Sequence, residues 1–305
     1  MIDTTETERQ VRAFVDGAPH VFWSVSNVGD MLITLAAAMQ YPDARLVHCG
    51  RDSLTDNKDQ WYTFLAHWPA YFNIPFLYVA DKDGRMMQAV ERIMLTLPNY
   101  HPVIAPRIVE RKGYAFRDPE NGRDWQTLHP RIVTQTDWSE RIGTTSLFPN
   151  AKLCIICPSG SKKRRKWQRY FSYGELQTIV TLARDRGYTV VITSHETDYL
   201  QYKMPHVYWL THDTLIDLDG TRRPVSFEEF LQILNSGQYY ISMDTWLKTF
   251  VALLGKPVQM VRRRSYGQYV EFGSDPADHI FLDRRLWPDM HLVTVEEVCA
   301  DLAQH

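Results

Sequence analysis

The sequence predicts an α/β protein built from two doubly wound, mostly parallel halves. Apolar strand-like runs alternate with helical patterns in residues 1–150, and the alternation resumes in residues 151–305. A chain of 305 residues suits two domains of about 150 each better than one core. Polar clusters also fall repeatedly where a strand gives way to a helix, which is where open α/β sheets place their ligands.

Taken in order, Thr4 to Val15 is a short amphipathic opening segment, and Val21 to Ser26 a strand leading into Asn27-Val28-Gly29-Asp30. A helix follows from Met31 to Met39 and stops at Pro42. Arg45 to Cys49 and Ile74 to Val79 read as strands, Asp56 to His67 and Gly84 to Leu97 as helices. Tyr100 to Asn150 shows no sustained period and reads as irregular elements plus a crossing segment, with the domain boundary near Asn150. Beyond it, Lys152 to Cys157 is a strand, Pro158-Ser159-Gly160-Ser161 a loop, and Tyr173 to Arg186 a helix stopped by Gly187. Tyr188 to Thr193 is a β-branched strand, and Ser226-Phe227-Glu228-Glu229 a capping-box start for a helix running to Gly237. The strand Gln238 to Met243, the helix Thr245 to Leu254 ended by Gly255, the strand Pro257 to Val261 and the helix Thr294 to Ala303 complete the chain. These are two Rossmann-like halves, and the expected site is a cleft between them.

Composition narrows the function classes. Hydrophobic residues at 44% and aromatics at 12% exclude a disordered chain. No run approaches the roughly 18 apolar residues of a membrane helix. The acidic opening Met1 to Glu6 is unlike a secretory or transit signal, so a cytoplasmic location is expected. Four cysteines are too few for a disulfide scaffold. Cys154 and Cys157 lie inside an apolar strand, which favours a core role over zinc or redox chemistry. The histidines, among them His195, His212 and His279, show no ligand spacing, and no metal site or cofactor is expected.

The formal net charge is −2, yet Lys162, Lys163, Arg164, Arg165, Lys166 and Arg169 crowd one loop. Four junctions can carry chemistry. Asn27, Gly29 and Asp30 combine a tight turn with a carboxylate at a helix start. Ser159 and Ser161, with the cations Arg165 and Lys166, suit a phosphate, although the P-loop spacing is missing. Ser194-His195-Glu196-Thr197-Asp198 follows a strand end, where a carboxylate takes ribose hydroxyls or caps the next segment. Asp244, Thr245, Trp246 and Lys248 open a helix that can meet a diphosphate. Asp217-Leu218-Asp219 and Asp81-Lys82-Asp83 precede glycine and read as turns.

These residues carry a resemblance. Gly29-Asp30-Met31-Leu32-Ile33-Thr34-Leu35-Ala36-Ala37 matches the G-D-V-L-x-T-x-P-A segment of the ADP-heptose:lipopolysaccharide heptosyltransferases, and the run from Asp244 to Pro257 keeps the register of their D-[ST]-G-x-x-H-x-x-A-A-L-G-K-P. Trp246 stands for the glycine and Thr249 for the histidine, departures that would reshape the sugar pocket. The chain thus resembles that family, which has the GT-B fold of two Rossmann-like domains. The resemblance implies a metal-independent, inverting glycosyltransferase acting on a nucleotide-diphosphate sugar. Residues 1–150 would form the acceptor side, with Asn27 and Gly29 beside Asp30 as general base. Residues 151–305 would bind the donor through Ser159, Ser161, Arg165 or Lys166, Glu196, Asp244, Thr245, Trp246 and Lys248. A surface glycan or other small acceptor is the first expectation. The basic run with Trp167 and Tyr170 keeps DNA as a second acceptor class, in the manner of phage enzymes that modify hydroxymethylated bases. A non-catalytic sugar-nucleotide binder is the third reading.

Overall fold

A computed structural model describes residues 4–26, 28–50, 58–81, 85–101, 103, 106–107, 115–116, 137–159, 170–194, 196–243, 245–261 and 290–304. The chain divides into two compact units, Met1–Gln135 and Thr136–His305.

Unit 1 begins with α1 (Thr5–Val15), β1 (His20–Ser26), α2 (Val28–Ala38) and β2 (Ala44–Gly50). It continues with α3 (Lys58–Tyr71), β3 (Phe76–Ala80), α4 (Arg85–Met94) and the two-residue β4 (Tyr100–His101). Pro106–Arg107 (β5) and Ala115–Phe116 (β6) pair with each other antiparallel. The main sheet runs β3-β2-β1-β4, every pair parallel. Side chains alternate across it, so Val21, Trp23 and Val25 share one face with Val47 and Cys49. That face is closed by Val11 and Val15 of α1 and by Met86, Val90 and Ile93 of α4. The other face carries Ser24 and His48 and lies against α2, whose residues are all buried. A helix apolar on every side has no reason to face water.

Unit 2 opens with α5 (Trp138–Ile142), β7 (Lys152–Cys157), α6 (Tyr173–Asp185), β8 (Tyr188–Thr193) and α7 (Glu196–Tyr202). Next come β9 (Tyr208–Leu210), β10 (Thr214–Ile216), β11 (Arg222–Pro224), α8 (Phe227–Asn235), β12 (Gly237–Ser242) and α9 (Trp246–Leu253). The unit closes with β13 (Val258–Val261), β14 (Met290–Val293) and α10 (Val295–Gln304). Its eight-stranded sheet runs β11-β10-β9-β8-β7-β12-β13-β14. From β9 to β14 every pairing is parallel, while β10 and β11 add an antiparallel extension. Numbered from β7, the parallel strands stand in the order 3-2-1-4-5-6 of doubly wound nucleotide-binding sheets, and unit 1 follows the first four of that order.

Local chemistry sets the helix ends. Ser172 and Ser226 each complete a capping box, with Glu175 and Glu229 reaching back to the cap N–H. Gly187 and Gly255 take φ of +80° and +70° just past their helices, where a side chain would be strained.

The division falls before α5, earlier than the boundary near Asn150 that the sequence suggests. Asn235 Nδ2 donates to the carbonyls of Ser139 (2.9 Å) and Gly143 (2.7 Å), and Ser236 Oγ accepts from Thr145 N–H at 2.9 Å. Trp138 is fully buried, its ring 6.1 Å from that of Phe250. One helix of five residues gives too short a pattern to read as an element. Other short elements escape the sequence pattern for the same reason: α7, the strands β9 to β11, β4 and β14.

Candidate functional site

The carboxyl ends of β7, β8 and β12 meet at the point where unit 2 reverses its strand order. Met243 N–H donates to the carbonyl of Cys157 at 3.1 Å, carrying the β7–β12 pairing past the strands. Thr245, the N-cap of α9, accepts from Leu247 N–H at 3.2 Å, and its hydroxyl lies 3.3 Å from Cys157 Sγ and 3.0 Å from Ser242 Oγ. Burial pushes the Cys157 thiol up to about 12, so the sulfur stays protonated and serves packing. Cys154 is equally buried in the core, its thiol also raised by burial.

A second set of bonds joins the first two strand ends. Ser159 Oγ and Ser194 Oγ both donate to Asp198 Oδ2, at 2.5 and 2.6 Å. Asp198 is 3% exposed, whereas Ser159 and Ser194 are half-buried. A hydroxyl whose proton is held by a carboxylate offers an incoming ligand only lone pairs, which suits the O–H groups of a diol and repels a phosphate. Ser159, expected from the sequence to meet a phosphate, thus has its hydroxyl proton engaged by Asp198. Beside Ser159, an antiparallel bridge holds Tyr170, and the Tyr170 side chain is 44% exposed. Phosphate-compatible charge is instead found at the α9 N-terminus, where partly positive N–H groups follow Thr245.

Two other expected donor residues lie among the described ones. Trp246 is half-buried, its ring 6.0 Å from Phe230 and 6.4 Å from Phe250, packed between α8 and α9. Lys248 is 3% exposed because α9 buries nearly its whole circumference, so it is an interior lysine and not a surface cation. For Glu196 the structure describes the backbone, which opens α7. Asn27, Ser161, Arg165, Lys166 and Asp244 lie outside the described residues, as do His195, His279 and Arg262 to Arg264.

In unit 1, α2 starts at Val28, which places Asp30 inside its first turn, just past the carboxyl end of β1 and beside a buried Gly29. Asp30 is 3% exposed, and its carbonyl accepts from Thr34 Oγ1 at 2.9 Å. As the chain stands, that carboxylate is closed to a sugar-sized acceptor. Tyr78 closes the neighbouring strand end as well: a Cβ at Gly50 would lie 2.5 Å from the Tyr78 Oη. Ser24 Oγ and His48 Nδ1 are 2.8 Å apart, both residues fully buried. Among the described residues, His48 Nε2 has no hydrogen-bond partner, and burial pushes the imidazole down to about 3. His48, within an apolar run, escaped sequence reading, whereas Asp198 belongs to the cluster the sequence marks, two residues beyond the glutamate that the resemblance favours.

No family model matches the chain, and no curated protein matches it. Among the described residues, no helix is long and apolar enough to cross a membrane.

Proposed function

We propose that the chain is a glycosyltransferase of GT-B type that takes a sugar from a nucleotide-diphosphate donor, with unit 2 as the donor-binding half. The observation that carries this reading is the Ser159–Asp198–Ser194 cluster on a sheet of order 3-2-1-4-5-6. In such sheets, an acidic group following the second strand holds ribose hydroxyls. Here that strand is β8, and Asp198 fixes the hydroxyls that would meet the diol. The diphosphate would then face the N-terminus of α9 across the switch point, where N–H dipoles stabilise charge as the sugar departs. In this mechanism, the acceptor hydroxyl attacks the anomeric carbon, the C–O bond to the diphosphate breaks, and Asp30 takes the acceptor's proton. Because Asp30 is buried, turnover requires the start of α2 to open when acceptor binds.

The test is calorimetric titration with nucleoside diphosphates, followed by donor-hydrolysis assays. Binding by the unaltered chain, weakened about tenfold or more in Asp198→Ala, supports the donor half of the reading. Asp30→Asn should keep donor binding and abolish transfer. An absence of nucleotide binding, or full activity in Asp30→Asn, would overturn the assignment.

A further inference from the structure

At the opposite, amino end of the unit 1 sheet, two histidines far apart in sequence come together. His20 opens β1 and His101 ends β4, and the parallel register sets His101 beside Phe22. His20 Nδ1 lies 2.9 Å from His101 Nε2. Both rings pack against Tyr41, at 4.7 Å between centroids in each case, and Phe22 stacks on His101 at 5.1 Å. His20, His101 and Tyr41 are all half-buried, so the rings are held by neighbours yet accessible.

A neutral imidazole binds a borderline divalent cation through a nitrogen lone pair at about 2.0–2.1 Å. Two such bonds span about 2.9 Å between nitrogens at the right angle of square-planar or octahedral coordination and about 3.3 Å at the tetrahedral angle, close to the separation already present here. We propose that His20 and His101 form a chelating site for a divalent transition-metal ion of the zinc, nickel or copper type. Proton accounting permits it. One of the facing nitrogens now carries the shared proton; on binding, that ring moves the proton to its other nitrogen through solvent. Both facing lone pairs then bind metal without net proton release. Water completes the coordination, since no three metal-ligating side chains converge among the described residues. The ion would tie the two-residue strand β4 to β1. Lying at the amino end of the strands, it would be structural, independent of donor chemistry at their carboxyl end.

The test titrates zinc and nickel chloride into the untagged chain, by calorimetry and by thermal melting. One ion per chain and a rise in melting temperature are expected. Binding should weaken at least about tenfold in His20→Gln and in His101→Gln, and stay unchanged in His206→Gln, whose histidine is exposed. Copper-loaded chain should show two imidazole nitrogens by electron paramagnetic resonance, a measurement independent of how the variants fold. The proposal is overturned by a lack of binding at about 1 mM metal, by binding that survives both substitutions or fails in His206→Gln, or by a copper spectrum without paired nitrogens.

Discussion

In unit 1 a single residue separates β1 from α2, whereas in unit 2 fifteen residues, 158–172, separate β7 from α6. The sheets share their first four strands in order, so the contrast lies in the connection that leaves the first strand. The short connection seats α2, buried along its whole length, directly on the sheet over Ser24 and His48, with Asp30 buried in its own first turn. The long one feeds an amphipathic helix that buries Leu176, Ile179, Val180 and Ala183 and leaves its other side to solvent. Ser159 and Ser194 are half-buried, with their shared carboxylate buried behind them. Two sheets of common topology can thus differ in how far their strand ends are covered.

That contrast can be broken experimentally. The largest effect is expected from Phe250→Ala, which removes a fully buried ring between Trp138 and Trp246 and should cost about 3–5 kcal/mol. Hydrogen exchange should show protection falling in β7 and β12 and holding in β1 and β2; uniform loss would mean that the two units unfold as one. Acid should single out unit 1 through His48. The unfolded imidazole takes a proton near its ordinary 6.5, while the folded one resists until about 3. The stability it contributes is complete above pH 6.5 and falls by about 1.4 kcal/mol for each pH unit below, towards 3. In His48→Asn, which can keep a bond to Ser24, acid melts between pH 6.5 and about pH 4 should lose one proton's worth of slope; an unchanged slope contradicts the assignment. Asp198→Asn sharpens the comparison from the other side, weakening two charge-assisted bonds at a cost of about 2 kcal/mol by denaturant titration. A destabilisation near zero would mean that the serines hold their places without it. Ser226→Ala is the smallest, about 1 kcal/mol for the lost cap of α8, with Ser226→Asp recovering most of it.

Much of the framework was legible because its signals are local. β7 and β8 run as their apolar and β-branched sequences indicate, Lys152–Cys157 and Tyr188–Thr193, and α6, α8 and α9 end where their caps and glycines require. The helix at Asp56 to His67 instead runs to Tyr71 through Pro69, with buried Leu65 and Trp68 holding its last turns. The site was less legible, because its bonds are not local. Glu196 and Asp198 look alike in sequence, and the bonds from Ser159 and Ser194 to Asp198 join residues of different loops. Lys248 reads as a donor-facing cation, and the burial of its helix is not visible from the sequence around it. His20 and His101 stand 81 residues apart and become neighbours through the β1–β4 pairing alone.

The strand β11 has a consequence beyond unit 2's own stability. It is three residues long, comes after the Gly220 turn, and presents Arg222, Arg223 and Pro224 at the outermost position of the sheet. Arg222 is held over the Tyr199 ring at 5.8 Å, and proline brings no N–H for a new partner. A border so short, so cationic and without an N–H at Pro224 is a poor template for another chain's backbone. Concentrated protein should therefore resist fibril growth from that side, and replacing Arg222 and Pro224 with valine and threonine would remove the safeguard.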